Sequence, residues 1–201
     1  MIRLGLDFDN TLTNYDLLFF TLALEKKLVP KTLAKSKLAV RDFLRASKKE
    51  REFTLLQGEV YGKRIFEAKQ SEGMFKALKK LKKDGINFYI VSHKSKKPYL
   101  GPKYDLHDSA MKWLERNNFF SADGLRMSKD NVYFELTKES KINRIEILGC
   151  THYVDDLPEI LMLLNNNIKK IHYNPTKNLS YEDKFENLYD WQNISQILNL
   201  I

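Results

Sequence analysis

An α/β architecture, an open and mainly parallel sheet with helices on both faces, is predicted for this chain of 201 residues. Three observations predict it. From Gly73 onward, short apolar runs alternate with amphipathic segments of helical period. Several of those runs end on acidic or hydroxyl residues. Between Asn14 and Gln70 the period is helical throughout and strand signals are sparse, so this stretch reads as an insertion. Alternating elements imply right-handed crossovers and parallel strands. Such a sheet takes ligands at the carboxyl ends of its strands, near a switch point.

The elements follow in order. Arg3-Leu4-Gly5-Leu6 is a buried strand that ends on Asp7-Phe8-Asp9-Asn10-Thr11. Tyr15 to Leu28 reads as a helix, Pro30 opens a second as its N1 proline, and Lys48 to Phe66 contains a third. In that third helix the run Leu55 to Gly62 holds two glycines, each costing about 1 kcal/mol inside a helix. They suggest a bend or a close approach, with Gln57 and Tyr61 then reaching a substrate pocket. Phe75 to Lys83 is a helix stopped at Gly85, and Ile86 to Val91 is a strand followed by Ser92. Asp108 to Asn117 is helical. Thr137 is a candidate N-cap for a helix running from Lys141 to Leu148. Thr151 to Val154 is a strand ending on Asp155-Asp156, and Pro158 starts the next helix. Ile168 to Tyr173 is the last strand and Ile194 to Leu200 a closing helix.

The acids at the strand tips carry the chemistry. Side chains alternate along a strand, so Asp7 and Asp9 point to one side, and two like charges that close call for a cation between them. Oxygen ligands suit Mg²⁺, which pairs with substrate phosphate. The adjacent Asp155 and Asp156 make the same demand. The Ser92 hydroxyl is a donor for a phosphoryl oxygen. Lys138 or Lys141 lies in the opening turn of a helix, where the dipole disfavours a cation and hints at a role beyond solubility. After Ser92 comes a basic and aromatic loop, His93 to Tyr104, in which His93 and Lys94 are candidates for gripping an anionic group of the substrate.

Composition sets bounds. The formal net charge of +8 favours anionic ligands. The lysines of Lys79-Lys80-Leu81-Lys82-Lys83 read as the solvated face of an amphipathic helix, which argues against nucleic acid as a partner. Cys150, the single cysteine, reads as a packed thiol. Leu17 to Leu24 is too short to span a membrane, and a cytoplasmic location is expected. A monomer and a homodimer are both compatible with the sequence.

Asp7-x-Asp9-x-Thr11, Ser92 after a strand, the helix-borne Lys141 and the Asp155-Asp156 pair together resemble the four ordered motifs of the haloacid dehalogenase-like hydrolase superfamily. The similarity to its deoxyribonucleotidase-like branch is more distant. The resemblance implies a Rossmann-like core, residues 1–13 and 71–201, with a small helical cap inserted at 14–70. It implies Asp7 as nucleophile, Asp9 as general acid and base, and Ser92, Lys141 and Thr11 as contacts to the phosphoryl group. Mg²⁺ would be held by the Asp7 carboxylate, the Asp9 backbone carbonyl and the Asp155-Asp156 pair. Asp155 stands where the commoner family form has Gly, so which of the two acids meets the metal directly stays open. Relatives that displace halide need no acid at the position of Asp9. The implied activity is therefore hydrolysis of a phosphate monoester of a small metabolite, a nucleotide or sugar phosphate. A phosphotransferase and a non-catalytic phospholigand-binding module are the alternatives.

Overall fold

The computed structural model describes residues 1–177 and 183–200. The chain divides into two compact units. Residues 1–12, 70–94 and 118–201 form the first, and residues 13–69 and 95–117 the second.

The first unit is built on six parallel strands: β1 (Arg3–Leu6), β4 (Asn87–His93), β5 (Val132–Glu135), β6 (His152–Asp155), β7 (Lys169–Tyr173) and β8 (Glu186–Leu188), in the order β5-β4-β1-β6-β7-β8. Two short strands, β2 (Thr13–Asn14) and β3 (Lys69–Gln70), form a separate ribbon. Leu4, Gly5 and Leu6 are all buried, as expected of a central parallel strand covered on both faces. The path from β1 leads to β4 on one side, whereas the path from β6 leads to β7 on the other. The topological switch therefore falls between β1 and β6, which pair as Gly5 with Tyr153 and Leu6 with Val154.

Helices cover the sheet. On α4 (Met74–Lys83), Met74, Ala77, Leu78 and Leu81 face inward at helical spacing while the lysines face out. Gly85 stops this helix with φ +78°, and the Ile86 N–H donates to Leu81 O, the pattern of a left-handed C-terminal cap. On the α6 (Lys138–Ile147) and α7 (Pro158–Leu163) side, Ile145, Ile160 and Leu161 pack with Val91, Cys150, Tyr153, Leu164 and Ile168. Thr137 caps α6 by accepting from the Ser140 N–H at 3.1 Å, and the Ser140 hydroxyl accepts in return from the Thr137 N–H at 3.2 Å. Pro158 is the first residue of α7.

The second unit holds α1 (Asp16–Glu25), α2 (Lys37–Ala46), α3 (Glu50–Tyr61) and α5 (Leu106–Arg116). Residues 95–117, which the sequence reading assigns to the 71–201 core, cluster here instead. The reason is packing: the indole of Trp113 on α5 donates to Ala68 O at 3.0 Å, and Pro98 and Tyr104 lie against Gly58 and Gly62. A Cβ on Gly62 would fall 2.5 Å from the Tyr104 ring, so of the two expected roles this glycine serves close approach.

Pro30 does not open a helix. It heads a turn closed by Leu33 N–H to Pro30 O, and α2 begins only after Ser36, whose hydroxyl accepts from the Ala39 N–H. The first helix ends at Glu25 rather than Leu28, as Lys27 takes φ +56°, and the closing helix α8 (Ile194–Ile197) is shorter than expected. Strand β4 runs on through Ser92 and His93. Strands β5 and β8 have no counterpart in the sequence reading.

Candidate active site

Asp7 follows β1 directly. Its N–H donates to Val154 O at 2.9 Å, so pairing with β6 continues through it and fixes where its carboxylate emerges. Asp155 ends β6, across the switch point. Both acids are buried. Between them lies the Lys141 ammonium, donating to Asp7 Oδ1 at 2.7 Å and to Asp155 Oδ2 at 2.6 Å. Lys141 is itself buried, one turn into α6 and in line with the buried Ile145. The other Asp155 oxygen accepts from the Leu157 N–H at 2.9 Å.

Burial pushes the Asp155 carboxyl up to about 7, with Asp7 adding to the effect and Lys141 opposing it. For Lys141 burial acts downward, but Asp155 and Asp7 outweigh it and hold the ammonium well above its usual value. Lys138 stays on the surface and pairs with Glu159 at 2.9 Å. Of the two candidate lysines, Lys141 alone meets the acids.

Asp7, Asp155 and Asp156 each offer a carboxylate oxygen within 4.8 Å of one another. Asp156 accepts from the Asn10 amide at 3.4 Å, and Asn10 takes φ +56° in the turn that follows Asp9. Three hard oxygen donors from three chain positions fit a small divalent cation. The Asp9 carboxylate is engaged elsewhere: Lys94 Nζ donates to both of its oxygens at 2.8 Å.

Ser92 belongs to the same row of strand ends. Ile90 pairs with Leu6, so Ser92, two residues on, stands level with the start of the Asp7–Asp9 turn. The hydroxyls of Ser92 and Thr11 are buried and have no hydrogen-bond partner among the described residues. A buried unsatisfied hydroxyl costs about 1–3 kcal/mol, which an anionic ligand accepting from it would relieve.

The remaining candidates have surroundings of their own. The exposed His93 has Nε2 3.2 Å from Leu136 O. Gln57 and Tyr61 are on α3 in the second unit, where the Tyr61 ring packs edge-on against Tyr15 at 5.0 Å and Phe19 at 5.7 Å. The sequence reading treats Lys94 as a grip for substrate and misses its bond to Asp9. The signal was present: Lys94 is two residues beyond Ser92 and so shares its side of the strand.

No protein-family model matches the chain, and a search of curated proteins returns no significant match. Solved structures do resemble it. A predicted phosphatase from Clostridium acetobutylicum superposes with a TM-score of 0.62 at 18% identity, covering 100% of this chain and 99% of its own. A HAD-superfamily hydrolase of subfamily IA from Geobacter sulfurreducens gives a TM-score of 0.58 at 12% identity, over 98% and 96%. A dehalogenase gives 0.58 at 13% identity over the same shares. Six parallel strands in this order, acids at the tips of β1 and β6, and agreement along nearly the full length of these proteins identify the fold of this chain as that of the haloacid dehalogenase-like hydrolases.

Proposed function

We propose that the protein is a Mg²⁺-dependent phosphatase that hydrolyses a phosphate monoester of a small metabolite, a nucleotide or sugar phosphate, through an aspartyl-phosphate on Asp7. The observation that carries this reading is the convergence of Asp7, Asp155 and Asp156, the first two bridged by the buried Lys141. The fold alone does not separate phosphatases from dehalogenases. Asp9 favours the phosphatase, since expelling an alkoxide needs an acid and expelling halide does not.

In the first step an Asp7 carboxylate oxygen attacks phosphorus, the bond from phosphorus to the ester oxygen breaks, and Asp9, protonated by the incoming substrate monoanion, gives that oxygen a proton. In the second step water loses a proton to Asp9 and attacks phosphorus. The bond to Asp7 breaks, inorganic phosphate leaves with the proton from Asp9, and both acids return to their starting carboxylate form. Lys141, Ser92 and Thr11 donate hydrogen bonds to the phosphoryl oxygens, and Lys141 limits repulsion between Asp7 and the incoming anion. Asp7, Asp155 and Asp156, with the Asp9 backbone carbonyl, would hold Mg²⁺, which supplies charge neutralisation for nucleophile and phosphate.

The test is phosphate release from a panel of nucleotides, sugar phosphates and an aryl phosphate, with Mg²⁺ or with EDTA. Turnover that requires Mg²⁺ and falls by about 10³ or more in Asp7→Asn is expected. Equal turnover by both proteins would overturn the mechanism.

A further inference from the structure

The two carboxylates of Asp7-Phe8-Asp9 are served by two different buried lysines. Lys141 bonds Asp7, and Lys94 bonds Asp9. We infer that Lys94 is a positioning residue that holds the Asp9 carboxylate, ionised here with both oxygens on the ammonium, in place to take up the substrate's proton and pass it to the leaving oxygen. This rests on the phosphatase reading above.

The geometry is that of a fixed support. The Lys94 N–H donates to Glu135 O at 2.8 Å, so its Cα is held by the extension of β4 along β5. Its ammonium lies 5.3 Å from the centre of the Phe8 ring, which is fully buried and braced edge-on by Phe134 at 5.7 Å. The lysine side chain is 3% exposed, whereas that of Asp9 is 21% exposed. One end of the pair is locked in the protein and the other opens to solvent.

Stability alone does not account for such a pair. Burying an ammonium costs several kcal/mol, and an apolar side chain of similar volume often serves a core at least as well. What the pair does supply is a defined carboxylate orientation. With both oxygens accepting from one fixed ammonium, the side chain of Asp9 loses the rotamer freedom that a half-exposed aspartate otherwise keeps.

The experiment uses leaving-group dependence, which a purely structural role would not move. The value of kcat/KM reports the step in which the ester bond breaks. An alkyl phosphate needs the proton from Asp9 in that step, and a p-nitrophenyl phosphate hardly does. For Lys94→Met, kcat/KM is expected to fall on both esters, but about 10²-fold further on the alkyl ester. Lys94→Arg, which keeps the cation, should recover part of that difference. The thermal shift produced by Mg²⁺ should persist in both variants, marking intact folding and metal binding. Should Lys94→Met fail to fold, the alkyl-to-aryl ratio of Lys94→Arg decides, and it is expected to lie below wild type. Equal losses on the two esters with a raised KM would overturn the inference and make Lys94 a phosphate contact; an unchanged ratio in both variants would overturn it outright. A wild-type protein inactive on both esters would instead remove the phosphatase reading, and this role with it.

Discussion

Tyr153 lies across Gly5. The two residues pair on neighbouring strands, and the tyrosine ring occupies the space that a side chain at position 5 would need: a Cβ there would be 2.5 Å from Tyr153 Cδ2. Crossing over β1, the phenol donates to Val91 O on β4. One side chain thereby ties together the three strands whose ends carry Asp7, Ser92 and Asp155.

Gly5→Ala is expected to destabilise the protein by about 1–3 kcal/mol through overpacking beneath the site. Urea denaturation would show a lower midpoint at an unchanged slope. An unchanged midpoint would mean that the ring can move aside.

Lys141 and Lys138 differ by less than one helical turn and should differ completely in effect. Lys141→Met leaves Asp7 and Asp155 buried without their cation, which should cost about 3–5 kcal/mol of stability in metal-free protein. It should also lower kcat/KM by about 10²-fold or more. Lys138→Ala breaks an exposed pair with Glu159 and should cost less than about 1 kcal/mol, with kcat/KM unchanged. Chemical denaturation and steady-state kinetics on the two variants check both statements.

Saturating Mg²⁺ should raise the melting temperature. At a concentration 100 times the dissociation constant, binding to the folded state alone adds about 2.7 kcal/mol. For a chain of this size that is a shift of several degrees. Asp156→Asn removes one charged donor of the three and should reduce the shift, and EDTA should abolish it in the wild type. A full shift in the variant would count against Asp156 as a ligand.

Cys150 gives a pH dependence of known sign. Burial pushes its thiol up to about 11 from 9.0, against a small opposing effect of Arg3. Below pH 9 the thiol is protonated in both states. Between 9 and 11 the unfolded chain releases its proton while the folded one keeps it, so stability falls as pH rises, by about 2 kcal/mol from this group. Cys150→Ala should lose less stability than wild type across that interval. Thermal melts of the two proteins at pH 8.5 and 10.5 measure the difference.

Strands β1 and β6 were legible because each joins a largely apolar run to a costly acid. Asp7, Asp9, Asp155 and Asp156 announce themselves by charge where burial is expected. Strand β5 was not legible, since all four of its residues are half-buried and neither an apolar run nor a clean alternation marks it. Strand β8 has three residues, with Leu188 its one buried side chain. Pro30 misled because an N1 proline and a turn proline share the same φ, and Ser36 decided where the helix starts. The bond from Lys94 to Asp9 links positions 85 apart in sequence, and only the side-to-side alternation of β4 hinted at it.

Strand β1 occupies the middle of the sheet, yet it precedes every other strand of that sheet in the sequence. Its neighbours on either side begin at Asn87 and His152. The apolar segment around Leu4 and Leu6 therefore stays unpaired until the strand at Asn87 follows it, and Asp7 meets Lys141 only when a stretch of 134 residues has closed. Loops that long close slowly and leave strand edges exposed meanwhile. A chain stalled before Lys141 would carry Asp7 without this partner.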